Sequence, residues 1–336
     1  MNESTYPLGK LPAEKLSELL SRYGADDDRV IIGPGIGHDA AVISFGDRYL
    51  VAKTDPITFA TDEIGWYAVH VNANDVVCTG ARPRWFLPTL LLPEKRTGPS
   101  LVEDVFAQMA RVCDELGISL VGGHTEITHG IDRPILIGNM LGEVAPDRLV
   151  RPDGATPGDA LLLTKGIAVE GTAIIAREKA DALSDLEDDL LERSRDFLHD
   201  PGISVVKEAR IAVEAGDVHA MHDPTEGGLA TGLWEMADAS EVGIEVYEED
   251  LPILPETTAL CRPLGLDPMG LIASGALLLA VAPEDADVII ESLEDADIKV
   301  FHIGRVTDSG CGVILVSDSG ERPLPRFDQD EIARLF

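Results

Sequence analysis

The chain has 336 residues, and 45% of them are hydrophobic, an ordinary share for a folded globular protein and too high for global disorder. The length suggests two domains or one large one. Sixty acidic against 27 basic residues leave a formal charge of −33, the wrong sign for a nucleic-acid or anionic-membrane binder. The acidity is spread, with short runs such as Asp26-Asp27-Asp28 and Glu248-Glu249-Asp250, and Lys is scarcer than Arg. Such a coat keeps a surface hydrated where salt screens its self-repulsion, so we expect a protein adapted to a salt-rich cytoplasm.

In chain order, residues 12–23 place Leu16, Leu19, Leu20 and Tyr23 at helical spacing, with Gly24 as a stop. Residues 40–53 read as two strands joined at Gly46-Asp47, and residues 63–79 as a helix with Tyr67, Val71 and Ala68 on one side. Residues 85–92 read as one buried strand. A helix is expected from Ser100, with Ser100 and Glu103 as a capping box, a stripe of Val102, Val105, Phe106, Met109, Cys113 and Leu116, and Gly117 at its end. Strands follow at 118–121 and 134–144. The Pro-, Gly- and Asp-rich stretch 150–165 is the best domain junction, dividing the chain into 1–150 and 151–336. Beyond it the spacing predicts helices near 169–180, 204–215, 227–239 and 285–294. Strands are predicted near 160–164, 243–247, 275–282, 298–306 and 311–316, and the acidic stretch 181–199 reads as a solvated excursion. Cys78, Cys113, Cys261 and Cys311 form no CxxC pair and read as small buried residues, Cys311 within a strand. Neither a signal peptide nor a transmembrane run is expected.

The phosphate-binding patterns GxxxxGK[ST] and GxGxxG are absent. What stands out is a series of acidic residues in small-residue surroundings. GPGIGHDAAV places Asp39 after Gly35 and Gly37 and before a strand. VAKTDPITF places Asp55 at a strand end, and VHVNANDVVCTGARP puts Asn72 and Asp75 in an apolar helix. LVGGHTEIT carries Gly122, Gly123, His124, Thr125 and Glu126, and MHDPTEGGLATGL carries Asp223 and Thr225 before Gly227-Gly228. Carboxylates on several segments suit Mg²⁺, a hard cation that takes oxygen ligands and shares them with phosphate oxygens. Gly-rich turns and helix starts bring backbone N–H groups close to phosphates. Singly, each has a plainer reading: an Asp at a strand end forms turns, Asp223-Pro224-Thr225 caps a helix, and His124 is a structural donor. Asp75 resists that reading, because an unpaired carboxylate on an apolar helix is costly.

GIGHDAAV, TDPITF, NANDVVCTGARP, GGHTEIT and DPTEGGLATGL, in this order and spacing, resemble the AIR synthase (PurM-like) superfamily over nearly the whole chain. That superfamily includes aminoimidazole ribonucleotide synthetase, selenophosphate synthetase, thiamine-monophosphate kinase and the hydrogenase maturation protein HypE. DPTEGG and the opening Gly9-Lys10-Leu11-Pro12 resemble HypE most. The resemblance implies an α/β (α+β) fold of two domains, the first forming a β-barrel with a second copy of the chain, and ATP in the cleft with Mg²⁺ on its phosphates. It implies Asp39, Asp55, Asp75 and Asp223 as metal carboxylates, with Glu126 as a further one. Lys10, Gly35, Gly37, Asn72, Gly122, Gly123, His124, Thr125, Thr225, Gly227 and Gly228 would then be nucleotide contacts, and Asp39, Asp75 and Lys10 the catalytic groups.

The implied reaction is ATP-dependent phosphorylation of an amide, acid or hydroxyl oxygen, with ADP release and no protein nucleophile. The acceptor would be a small molecule or protein-borne. The alternatives are a thiamine-monophosphate-kinase-like phosphotransferase and a dimeric nucleotide-binding protein without turnover. This sequence departs from the family at His38 and His124, where acidic residues are usual. It departs again at Asp328, which follows Pro325-Arg326-Phe327 where HypE has its terminal Cys.

Overall fold

The computed structural model describes residues 6, 11, 13–23, 27–35, 37–58 and 62–335, so the expectations for Gly24, Lys10 and most of the Gly9–Pro12 segment lie outside the described residues. The chain builds two sheets in succession and crosses from one to the other between Val144 and Ala160.

The first sheet holds β1 (Val30–Ile32), β2 (Ala41–Phe45), β3 (Arg48–Ile57), β4 (Arg82–Phe86), β5 (Thr89–Pro93), β6 (Ser119–Leu120), β7 (His124–Thr128) and β8 (Ile135–Val144). Its order is β1-β2-β3-β8-β4-β6, and β5 pairs with both β8 and β7. Helices α1 (Ala13–Tyr23), α2 (Ile64–Val77) and α3 (Pro99–Leu116) belong to this half. The second sheet holds β9 (Ala160–Thr164), β10 (Val218–His222), β11 (Gly243–Tyr247), β12 (Leu278–Val281), β13 (Val300–Thr307), β14 (Val313–Ser317) and β15 (Gly320–Pro323), in the order β10-β12-β9-β13-β11-β14-β15. Its helices are α4 (Val169–Glu178), α5 (Asp188–Asp196), α6 (Val206–Ala215), α7 (Gly228–Ser240), α8 (Pro255–Leu264) and α9 (Ala286–Glu294).

Helix α2 fixes the geometry of everything that follows. All its residues except Val71 are buried, so it is a core helix rather than a one-sided amphipathic one. It lies against β3 and β8 because β8 presents glycines to it. A Cβ on Gly142 would come within 2.5 Å of Val76 Cγ1, and one on Gly138 would overlap the Asn72 amide. On the other side, a Cβ on Gly65 would come within 2.5 Å of the Val105 carbonyl of α3. Glycines on β8 and α2 let the three backbones approach closely.

Several expectations are corrected. Residues 85–92 are two strands, not one, and the break falls at Leu87-Pro88, where proline offers no N–H to a ladder. Helix α3 starts at Pro99 on an extended Gly98 without a side-chain cap, so no Ser100–Glu103 box forms. Gly117 does end it, in the left-handed conformation. The stretch 181–199 is not a solvated excursion, because Leu183, Leu191, Phe197 and Leu198 are buried. Cys311 is exposed at the end of a short helical turn, whereas the other three cysteines are buried. Strands β1, β7, β10 and β15 and helix α8 escaped the sequence pattern.

The face of the first sheet away from α2 leaves Phe45 and Trp85 exposed, to 66% and 36%. Strands β6 and β7 end its two pairing paths. Among the described residues no helix is long and apolar enough to cross a membrane.

Candidate active site

Three neighbouring polar residues of α2 face three different partners. The Asn72 side chain accepts from the Asp55 N–H at 2.9 Å and donates to the Asp55 carbonyl at 3.3 Å, tying α2 to β3. Asn74 reaches into the second half, donating to the Ile203 carbonyl at 2.7 Å and accepting from the Val205 N–H at 2.9 Å. Asp75 turns toward β3, where Lys53 Nζ lies 3.2 Å from its Oδ1 and 3.6 Å from Asp55 Oδ2. Lys53 and Asp55 alternate on one strand, so both point to the same face.

The second sheet contributes at the end of β10. His222 Nδ1 lies 3.3 Å from Asp39 Oδ2, and its Nε2 donates to Glu235 of α7 at 2.7 Å. The neighbouring Asp223 accepts a hydrogen bond from Cys78 Sγ, just past α2, at 3.4 Å. The donor atoms of Asp39, His222 and Asp223 all lie within 4.8 Å of one another. Asp39, Asp55, Asp75 and Asp223, which come from four separate segments and both halves, therefore share one cluster centred on Lys53 and His222.

The electrostatics follow from crowding two buried carboxylates, Asp75 and Asp223, against the partly exposed Asp39 and Asp55. Burial raises the Asp75 carboxyl well above the usual range; Lys53 opposes the shift, and Asp223, Asp39 and Asp55 add to it. Asp223 is pushed up to about 7 by burial and then by Asp39. Lys53 moves the other way from a buried amine: burial would lower it, but the four carboxylates together raise it. Burial likewise opposes His222, yet Asp39 and Glu235 hold its imidazole well above its ordinary value. Asp75 Oδ2 is buried without a hydrogen-bond partner. A buried anion that lacks part of its pairing is a place for a cation.

The remaining sequence candidates are placed as follows. Gly35 and Gly37 belong to the turn before Asp39. Gly37, at φ +71°, packs on the Glu235 carbonyl of α7, while His38 donates back to the Gly33 carbonyl at 2.8 Å. Thr225 accepts from Gly228 N at 3.1 Å in the turn that starts α7, and Gly227 N donates to Asp330 Oδ2 at 2.7 Å. The structure does not bring Gly122, Gly123, His124, Thr125 and Glu126 to the cluster. His124 and Glu126 are exposed and pair with each other at 3.4 Å. Strand β7 is three strand spacings from β3, roughly 14 Å away. Gly123 has a steric role, since a Cβ there would overlap the Pro88 carbonyl.

Sequence reasoning missed Lys53, Cys78, His222 and Glu235, although VAKTDP, NDVVC and MHDP contain three of them. The usable signal was Lys53, one of eight lysines in the chain, set two residues before Asp55 in a strand.

Comparison with known proteins gives the family and the fold. Residues 37–144 match the N-terminal domain of AIR synthase related proteins, and residues 156–317 match the C-terminal domain. A protein of Methanocaldococcus jannaschii named for hydrogenase expression and formation is 30% identical over 315 residues, covering 88% of this chain and 90% of the relative. The chain belongs to the AIR synthase related family. Among its relatives, carbamoyl dehydratase HypE of Rhizobium leguminosarum bv. viciae is 32% identical over 318 residues, with 87% of this chain and 86% of that one covered. A crystal structure of hydrogenase maturation protein HypE in complex with ATP superposes with a TM-score of 0.72 at 27% identity, covering 94% of this chain and 96% of that chain. A complex of AaThiL with AMPPCP and TMP shares the fold, with a TM-score of 0.72 at 22% identity over 93% of this chain and 94% of that one. The two-domain PurM-like α/β fold is thus that of this family member too.

Proposed function

We propose that this AIR synthase related protein binds ATP with Mg²⁺ at the Asp39–Asp55–Asp75–Asp223 cluster and phosphorylates an amide, acid or hydroxyl oxygen of its acceptor, releasing ADP. The observation that carries the reading is the meeting of four carboxylates from both halves, with the buried Asp75 Oδ2 unpartnered among them. Oxygen-only donors on rigid elements suit Mg²⁺, and bound Mg²⁺ would neutralise phosphate charge. Lys53 would hold Asp55 and Asp75 at the approach distance, Asn72 would keep β3 in register with α2, and burial would exclude water from the transfer. The relative solved with ATP supports the choice of nucleotide.

Asp328 sets the acceptor chemistry apart from a carbamoylated thiol, because a carboxylate cannot take the role of a cysteine sulfur at that position. The flanking residues are engaged elsewhere: Arg326 lies 3.6 Å over the Trp234 ring, and Phe327 packs on Gly270. We also place the domain boundary at 150/151 and a second copy of the chain on the exposed apolar face of the first sheet.

Calorimetry with ATP and Mg²⁺ in molar KCl, followed by ADP release over a panel of amides, carboxylic acids and alcohols, tests the reading. Asp75→Asn is expected to reduce ADP release by about 10²–10³-fold, the scale of losing one charge-stabilising group. Unchanged turnover in that variant, or no ATP binding by the parent chain, overturns the proposal.

A further inference from the structure

The residues after Asp328 are built into the second half rather than trailing from it. Leu324 is buried in its core, Arg326 stacks on the Trp234 ring, and Phe327 fills the space that a Cβ on Gly270 would occupy. Ile332 and Leu335 pack on the apolar cluster shared by α4 and α8. Two carboxylates fasten the segment to main-chain amides. Glu331 Oε2 accepts from Asp267 N at 2.9 Å. Asp330 Oδ2 accepts from Gly227 N at 2.7 Å, and its other oxygen accepts from Ile332 N at 2.8 Å. Asp330 thereby closes the turn Thr225–Gly228 that starts α7 and follows Asp223 by two residues. The fastening carries a like-charge conflict. Glu170, in the first turn of α4, is buried, and the charges that face it are Asp330 of the segment and Glu226 of the turn, both of its own sign. Its hydrogen-bond partner is Ser274, and Tyr67 of α2 feels its charge. Glu226 also opposes Asp330, which the amides of Ile332, Gly227 and Ile272 partly offset. Burial above all, then Asp330 and Glu226, raise the Glu170 carboxyl to about 7.

We propose that residues 326–335 form a proton-sensitive latch over the start of α7, closed while Glu170 is neutral and loosened when its carboxylate is set against Asp330 and Glu226. Opening uncovers the turn that leads out of the candidate site, so access on that side becomes dependent on pH. The direction follows from where the proton is held. In the closed latch Glu170 keeps its proton up to about 7, whereas freed of the segment it moves back toward its ordinary value of 4.5. Opening therefore releases a proton between those two values. The latch is tightest below pH 4.5, loosens as pH rises toward 7, and changes little above that. It stands on the docking of the segment alone and does not need the nucleotide reading.

The test is amide hydrogen exchange on the full chain in molar KCl without nucleotide, corrected for the intrinsic rate at each pH. Protection of residues 327–335 is expected to fall about tenfold between pH 5 and 7, and by no more than about 100-fold, then to level off by pH 8. Strand β9, in the middle of the second sheet, is the reference and should not fall with it. Glu170→Gln keeps the shape of the side chain and removes the proton, so it should hold the protection near its pH 5 level throughout. If that variant does not fold, Asp330→Asn decides the matter, because removing the charge that Glu170 opposes should flatten the slope as well. Protection at 327–335 that ignores pH in the parent chain, a parallel loss in β9, or an unaltered slope in the deciding variant overturns the proposal. ATP binding by calorimetry is scored separately, so either reading can fail alone.

Discussion

Two secluded basic side chains, one held charged and one held neutral, define the molecule at the scale of single residues. Lys53 is held by Asp75 and Asp55 with little solvent around it, its side chain 17% exposed and that of Asp75 only 6%. Removing one partner of a buried pair strands the other, so Lys53→Met should cost about 3–5 kcal/mol in a denaturant melt at pH 7. The double variant Lys53→Met/Asp75→Asn should recover much of that loss, because no charge is then left alone. His70 behaves in the opposite sense. It is buried against Trp66, with ring centroids 4.5 Å apart, and its imidazole falls to about 3, chiefly through burial. The fold therefore holds it neutral while the unfolded chain protonates near 6.5. Stability is fully present above pH 6.5 and drains as pH falls from there toward 3, by at most about 1.4 kcal/mol per pH unit from this group. His70→Phe should flatten that part of the acid-stability profile; an identical profile would refute the assignment.

At the scale of elements, Gly138 and Gly142 seat α2 on β8, and the seat fixes how far Asn72 and Asp75 stand above β3. Gly138→Ala pushes its new methyl into the Asn72 amide and is expected to cost about 1–3 kcal/mol, as overpacking does. Gly310→Ala meets nothing within 4 Å and should change stability by less than about 0.5 kcal/mol. A paired denaturant titration of the two variants checks this. The same contacts explain how much of the site was legible. Asp39, Asp55, Asp75 and Asp223 stand out in sequence because carboxylates beside glycines and apolar runs are conspicuous. His222 and Lys53 do not, because their meaning depends on which strand end faces which helix, and β10 is too short and mixed to read as a strand. Glu126 and His124 share the same conspicuous surroundings, but β7 carries them to the sheet edge. Likewise, the two-strand reading of 40–53 held because Gly46-Asp47 marks the turn, whereas 85–92 ran together because its apolar residues conceal the break at Pro88.

For the whole molecule, the charge of −33 sets the conditions under which any of this can be measured. Like charges spread over the surface repel one another at low ionic strength, and molar salt shortens their reach to a few ångströms. The thermal midpoint should therefore rise as KCl increases from millimolar to molar; a fall would refute salt adaptation. The seam between the two sheets has a different character. Asn74 closes it by gripping only main-chain atoms, the carbonyl of Ile203 and the amide of Val205. Such a latch reads no side chain at 203 or 205; what holds Ile203 and Val205 apolar is their own burial in the core. Within the latch the side-chain chemistry is all at residue 74, where an aspartate would lose the donor and a leucine both contacts.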